Sequence, residues 1–229
     1  SLPKRIAYRV LMRRTVMHAR RLISVSSFVA TELRAAYGDG IHPRLSVIGE
    51  GVDERFRPRS PEEQAEVRKR YDLSLPFFLY VGNAKEHKNV PLLIEAFRRA
   101  ALPAHRLVLV TGGTEAALLP SAENVCVLSG VDDEHLPALY SAAAAFVTAS
   151  LYEGYGLPAV EAAACGSPVI AARTAATPET APAGALLLPP TAAAFAEGFR
   201  RPPLPSPFAA RRWEAVAADV ASVFRATFS

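Results

Sequence analysis

Two glutamates, Glu153 and Glu161, flank the run Gly154-Tyr155-Gly156-Leu157-Pro158, with seven residues between them. Carboxylates paired at short range suggest acid–base work, yet the intervening residues suit a different task. Glycine lets backbone come close to a ligand, and Pro158 suits the first position of a helix, where its missing N–H costs nothing. The amides around Gly156 and Leu157 are then free and point outward, as an anion such as diphosphate requires. Glu161 would fall in the first turn of that helix. A carboxylate there repels an anion but can accept from both hydroxyls of a ribose. Glu153, in the loop, can accept from hydroxyls of a sugar. The competing assignment is a turn glutamate and a surface helix glutamate, both solvated.

Other groups carry weaker signals. The loop Gly82-Asn83-Ala84-Lys85-Glu86-His87-Lys88-Asn89 follows an apolar run and precedes a helix. Its Lys88 is either a counter-charge for phosphate or a solvated surface lysine. Asp132, Asp133 and Glu134 open a helix, where they either cap it and complement its dipole or serve a ligand. In the second case one carboxylate accepts from the two N–H donors on the Watson–Crick edge of guanine, a pair that uracil lacks. Thr111-Gly112-Gly113 is not G-x-G-x-x-G and has no acidic residue at the dinucleotide distance, which argues against a nicotinamide or flavin enzyme. The five histidines are scattered singly, Asp132-Asp133 makes a poor metal clamp, and no G-x-S-x-G elbow exists. Metal-dependent and triad hydrolysis therefore have no support.

The elements that must position these groups are legible. Short apolar runs at 77–81, 106–110, 125–128, 144–148 and 168–172 read as strands, each stopping at a glycine or polar loop. Helices are expected at 61–71, opened by Ser60 and Pro61, and at 91–100, 133–142, 158–165 and 191–200. This alternation predicts an α/β fold, a Rossmann-like parallel sheet with helices on both faces. Gly82, Gly112, Gly130 and the Glu153 loop would share the carboxyl edge of that sheet, where such folds bind ligands. Before this unit come a helix over 4–21, a short strand at 22–26, a helix from Ser26 or Ser27 to Tyr37, and a strand at 45–48. Residues 49–61 read as a linker, and a proline-rich spacer precedes a last helix around 213–224.

Composition sets the outer bounds. The 229 residues are 50% hydrophobic, enough for a substantial core. No apolar run is long enough to span a bilayer, and the N-terminus lacks a signal-peptide pattern, so a cytoplasmic location is expected. Cys126 and Cys165 lie in apolar segments without metal spacing. The net charge of +4 is too mild to imply nucleic acid. Its distribution is uneven, because Lys4, Arg5, Arg9, Arg13, Arg14, Arg20 and Arg21 all precede the first acidic residue, Glu32. In the helix over 4–21, Ile6, Val10 and Met17 share one face, while Arg5, Arg9, Arg13 and Arg20 fall on another. Such a helix is either a solvated face or a contact for an acidic partner or the inner face of a membrane.

With these residues in view, SLYEGYGLPAVEAAACGSPVIA resembles the EX7E signature of retaining GT-B glycosyltransferases of sequence family four. FFLYVGNAKEHKNVPLLIEAF is similar to that family's phosphate-binding strand and loop, and VLSGVDDEHLPALYSAAAAF to its base-binding region. VSSFVATELRAAYG and LSVIGEGVDERFRP resemble the interdomain passage, and the segment around Trp213 the last helix. The resemblance implies that Glu161 holds the ribose and Glu153 contacts the donor sugar. It implies that the amides of Gly154, Tyr155, Gly156 and Leu157 hold sugar and diphosphate, and that Lys88, in the loop with Gly82 and Asn83, neutralises the leaving group. Val131 through its backbone and Asp133 through its side chain would contact the base. The donor would be a nucleoside-diphosphate sugar, with GDP-mannose favoured over a UDP-sugar, and no metal or other cofactor would be needed. The acceptor would be a glycan or lipid-linked sugar of bacterial polysaccharide synthesis.

The same resemblance divides the chain into the end of an N-terminal acceptor domain (1–48), an interdomain linker (49–61), a nucleotide-sugar-binding domain (62–205) and a C-terminal helix packing back toward the N-terminal part (206–229). Turnover would then need a fuller N-terminal domain or a partner chain. The alternatives are a non-catalytic nucleotide-sugar-binding module, one subunit of a split transferase, and more remotely a sugar-nucleotide epimerase. The chain departs from the family in offering Asn83 and His87 where an arginine is common, Ala145 for an aspartate, and Ala175-Ala176 where a glycine is usual.

Overall fold

The computed structural model describes residues 2–228; Ser1, Ser229 and the side chains of Leu2, Pro3 and Arg5 lie outside the described residues. Packing divides the chain into two compact units, one of Val52–Ala210 and one formed by the chain up to Gly51 together with the chain from Arg211.

The first of these in sequence contains α1 (Leu2–His18), β1 (Leu22–Ser24), α2 (Ser27–Tyr37) and β2 (Leu45–Val47), with β1 and β2 paired in parallel. Ser26 caps α2, its hydroxyl accepting from the Val29 amide at 3.2 Å. The Arg44 guanidinium donates to the carbonyls of Val16, Met17 and Ala19, satisfying the open C-terminal end of α1. The apolar face expected along α1 is not buried, since Ile6, Val10 and Met17 are all at least half exposed. Of the described side chains of α1, Val16 is the buried one.

The unit Val52–Ala210 opens with α3 (Pro61–Arg70). Its entry is a full capping box: the Ser60 hydroxyl accepts from the Glu63 amide, and the Glu63 carboxylate accepts from the Ser60 amide. There follow β3 (Phe77–Val81), α4 (Val90–Ala100), β4 (Arg106–Val110), β5 (Val125–Leu128), α5 (Leu136–Ala142), β6 (Ala145–Thr148), α6 (Leu157–Ala164), β7 (Val169–Ala172), α7 (Thr177–Thr180), β8 (Leu186–Leu188) and α8 (Ala192–Arg200). The last helix, α9 (Trp213–Phe228), belongs with the first residues of the chain.

Six strands form one wholly parallel sheet in the order β5-β4-β3-β6-β7-β8. Strand side chains alternate between two cores. Phe77, Leu79, Val108, Phe146, Val169 and Ala171 pack under α3, α5 and α6. Phe78, Tyr80, Leu107, Leu109, Val147 and Ile170 pack under α4 and α8. A strand buried on both faces has no polar side to show, which is why FFLYV and RLVLV read as unbroken apolar runs.

Three local expectations are revised. The helix expected over 133–142 begins as a tight 3-10 turn, Asp133–His135, and becomes α-helical at Leu136, because Pro137 lacks the N–H that would extend regular bonding backward. Leu186–Leu188, not expected as a strand, closes the sheet as an edge, where a three-residue strand before Pro189 and Pro190 needs no further donors. Within the stretch expected as linker, Val52 and Phe56 are buried in the α3–α5–α6 core.

Candidate functional site

Successive strands are added outward from β3 on one side and from β6 on the other, so the loops leaving these two parallel neighbours diverge and open a crevice at the carboxyl edge. Each arm of the crevice is set by local chemistry. Val81 ends β3, and Gly82 turns the chain with φ of +151°. A Cβ at Gly82 would lie 2.9 Å from the Tyr80 hydroxyl, so the position excludes other side chains. That hydroxyl donates to the Asn83 carbonyl at 2.6 Å and pins the loop from beneath. Asn83 is exposed, and its side-chain oxygen accepts from the Lys85 amide, a local turn that occupies one of its polar atoms. The chain then makes a 3-10 turn, Glu86–Lys88, and Asn89 in a left-handed conformation starts α4.

The second arm leaves β6 and crosses to α6. The Leu151 amide donates to the His87 carbonyl at 2.7 Å, tying the two loops together. Further on, the Ala176 amide donates to the Glu153 carbonyl, the Thr174 hydroxyl to the Ser150 carbonyl, and the Thr180 hydroxyl to the Tyr155 carbonyl. Residues 174–180 therefore brace the Glu153 loop from behind. Within this brace Ala175 has φ of +48°, a left-handed conformation that glycine adopts more easily.

Lys88 and Glu153 meet where the arms cross. The ammonium lies 2.6 Å from Glu153 Oε1, and each side chain is only 17% exposed. Tyr80, Tyr155, Gly156, Pro158, Thr177 and Thr180 line the same cavity. The free space there is about 20 Å³, room for about one water. An occupant of this cavity meets both charges of the pair. The Tyr80 phenol is pushed up from its ordinary range by burial and then by the nearby Glu153, so at neutral pH it remains a donor.

Gly156, left-handed at φ of +95°, precedes α6. The helix thus starts at Leu157, with Pro158 second rather than first, and Glu161 falls in the second turn instead of the first. The Ala159 amide turns back to the Gly156 carbonyl at 3.1 Å, and Pro158 has no N–H. The Leu157 amide is the donor left at the helix start, and its neighbours Gly156 and Pro158 line the cavity that holds the Lys88–Glu153 pair.

Glu161 faces a different set of groups. Its Oε2 accepts from the Tyr140 hydroxyl at 3.2 Å. Burial raises its carboxyl above the ordinary value, Tyr140 and Arg55 lower it, and Asp133 and Asp53 raise it. Asp133 is exposed on the 3-10 turn, 3.9 Å from the Arg55 guanidinium, and Val131 packs half-buried at the edge of the α3–α5–α6 core. Neither Asp132 nor Asp133 caps the following helix with its side chain. Glu153 and Glu161 are therefore not one acid–base pair: the first is held by Lys88, the second by Tyr140.

Spacing along the chain did not single out Tyr140, Arg55, Thr174 or Thr180. They reach the site across 21 or more positions in three of these cases, and nothing local marks them. Asp132, Glu134 and His135 bring their ligand atoms within 4.8 Å of one another, but His135 is already bonded to the Tyr71 hydroxyl at 2.8 Å.

A doubly wound parallel sheet with a lysine and a carboxylate paired at its switch point defines an α/β protein of the kind that binds ligands at its carboxyl edge. The family model described as "Glycosyl transferases group 1" matches residues 62–201, and the chain belongs to that family. It is 31% identical over 175 residues to O-antigen chain mannosyltransferase B of Escherichia coli, covering 70% of this chain and 45% of the relative. It is 32% identical over 176 residues to the GDP-mannose-dependent alpha-(1-6)-phosphatidylinositol monomannoside mannosyltransferase of Mycolicibacterium smegmatis, covering 68% and 46%. The chain thus spans less than half the length of these curated relatives. Among solved structures, sucrose-phosphate synthase of Thermosynechococcus elongatus superposes with a TM-score of 0.77 at 25% identity, over 96% of this chain and 61% of that one. The HepE protein of Anabaena, solved with UDP and glucose, shares the fold with a TM-score of 0.71 at 21% identity, over 81% and 54%.

Proposed function

We propose that this chain supplies the donor site of a retaining glycosyltransferase that moves a hexose, mannose by preference, from a GDP-sugar to a glycan or lipid-linked acceptor. The observation that carries the reading is the Lys88–Glu153 pair at the switch point, beside the start of α6. Lys88 and the Leu157 amide take the diphosphate, with Gly82 and the Asn83 loop beneath it. Glu153, released from Lys88, accepts from hydroxyls of the donor sugar, and the Gly154–Gly156 backbone closes over it. Glu161 holds the ribose diol, and Val131 and Asp133 meet the base.

In the transfer the bond from the sugar's anomeric carbon to the β-phosphate oxygen breaks. A bond to the acceptor hydroxyl oxygen forms on the same face, and the acceptor proton leaves with the diphosphate. Charge on the departing diphosphate grows as that bond breaks, and a fixed ammonium and amide stabilise it without reorganisation and without a metal. The mannosyl relatives support the choice of sugar, and the GDP-mannose dependence printed for one of them supports the base. Acceptor binding is assigned to a further domain or partner chain. No helix among the described residues is long and apolar enough to cross a membrane. The basic stretch before Glu32 favours a peripheral position on the cytoplasmic face.

Calorimetric titration with GDP-mannose, GDP and UDP tests this reading. GDP is expected to bind about tenfold more tightly than UDP. Equal or UDP-preferring affinity would sink the guanine assignment, and no binding by any of the three would sink the donor site itself.

A further inference from the structure

Glu161 differs from Glu153 in having no cation within hydrogen-bonding distance among the described residues. Its hydrogen bond comes from a neutral group, the Tyr140 hydroxyl, which donates to Oε2 at 3.2 Å. Tyr140 is fully buried in α5, and its ring is held edge-on between Phe56, at 6.0 Å, and Phe146, at 5.8 Å. Core packing alone would ask only for a phenylalanine here. A hydroxyl in such a place is costly unless it has a partner, and its partner is the Glu161 carboxylate. Burial and the neighbouring Glu161 also hold the phenol well above its ordinary range, so it keeps its proton and donates it to the carboxylate.

We propose that Tyr140 is a positioning residue for the donor nucleotide: its hydroxyl fixes the Glu161 carboxylate in the orientation that receives the ribose diol. The inference rests on the ribose reading of Glu161. An ionised carboxylate has about four acceptor sites. Tyr140 takes one on Oε2, and the remaining sites suffice for two vicinal hydroxyls. A glutamate on a helix otherwise samples several rotamers, and a ligand must then order it on binding; a rigid aromatic donor does so beforehand. The hydroxyl also opposes the effect of burial, which favours the neutral acid that is a poorer acceptor. The other charges facing Glu161 are Arg55, which favours ionisation, and Asp133 and Asp53, which oppose it.

The test compares the 229-residue chain with Tyr140→Phe, Glu161→Gln and the double variant, using GDP as the titrant from pH 5 to pH 8. For the unaltered chain, affinity is expected to fall toward acid pH as Glu161 protonates. In Tyr140→Phe that fall should begin at higher pH, and affinity at pH 8 should drop about five- to tenfold. The double variant should bind no more weakly than Glu161→Gln alone. Carbon-13 titration of the Glu161 carboxyl without nucleotide should show the same upward shift in Tyr140→Phe. An unmoved acid limb and unmoved carboxyl titration, or losses that simply add in the double variant, would reduce Tyr140 to a packing residue and overturn the proposal. If the unaltered chain bound GDP while Glu161→Gln bound it equally well, the ribose reading would fall, whatever Tyr140 did.

Discussion

Glu153 and Glu161 stand eight positions apart on one loop and helix, yet the fold treats them oppositely. Glu153 is neutralised by Lys88 at 2.6 Å, so its desolvation is compensated before any ligand arrives. Glu161 is buried beside a neutral hydroxyl, and burial outweighs its favourable contacts and raises its carboxyl. One carboxylate is already satisfied by Lys88, and in the proposed reaction it exchanges that partner for the donor sugar. The other is held in place at a cost to stability and is ready to accept. Two similar residues in one motif thus make different demands on the structure around them.

The largest expected effect that separates them is on affinity. Glu161→Ala removes two charge-assisted hydrogen bonds to the ribose and should weaken GDP binding about 100-fold, with the far-ultraviolet circular dichroism unchanged. Glu153→Gln should do the reverse for GDP. It frees Lys88 and removes a carboxylate from beside the terminal phosphate, so affinity should rise several-fold in calorimetry. Weaker GDP binding in Glu153→Gln would mean that the ion pair is not what the diphosphate displaces.

Stability should divide the pair as well. Lys88→Ala leaves the Glu153 carboxylate largely buried without a partner and should cost roughly 1–3 kcal/mol in denaturant unfolding. Glu161 acts with the opposite sign. Because its folded value is raised above the usual 4.5, its contribution is fully present below the unfolded value and is lost as pH rises through the folded one. At neutral pH, Glu161→Gln should therefore melt higher than the unaltered chain, and the gain should vanish toward pH 4. The smallest effect belongs to the brace behind the Glu153 loop. Ala175→Gly relieves a left-handed alanine at about 1–2 kcal/mol, less the extra chain entropy of glycine, for a net gain of roughly 0.5–1 kcal/mol.

Much of this arrangement was legible in the sequence because it is written in local chemistry. FFLYV and VIAA are unbroken apolar runs because both faces of the sheet are covered, and Ser60-Pro61-Glu62-Glu63 spells a helix start. Gly82 and Gly156 stand where the backbone turns in ways a side chain would hinder. What escaped local reading depends on distant partners. Leu186–Leu188 becomes a strand only because β7 lies beside it, and Glu161 shifts to the second turn because Gly156 lets the helix begin at Leu157. The apolar residues of α1 have helical spacing but remain exposed, so spacing overstated what that helix buries. Tyr140 gave no signal at all, since its hydroxyl matters through a residue 21 positions away.

A crystal structure of this chain with GDP tests the donor cradle most directly. The diphosphate is expected between Lys88 and the Leu157 amide, with Lys88 drawn away from Glu153, the ribose hydroxyls on Glu161, and guanine beside Val131 and Asp133. GDP bound with the Lys88–Glu153 pair intact, or with its ribose away from Glu161, would contradict that placement.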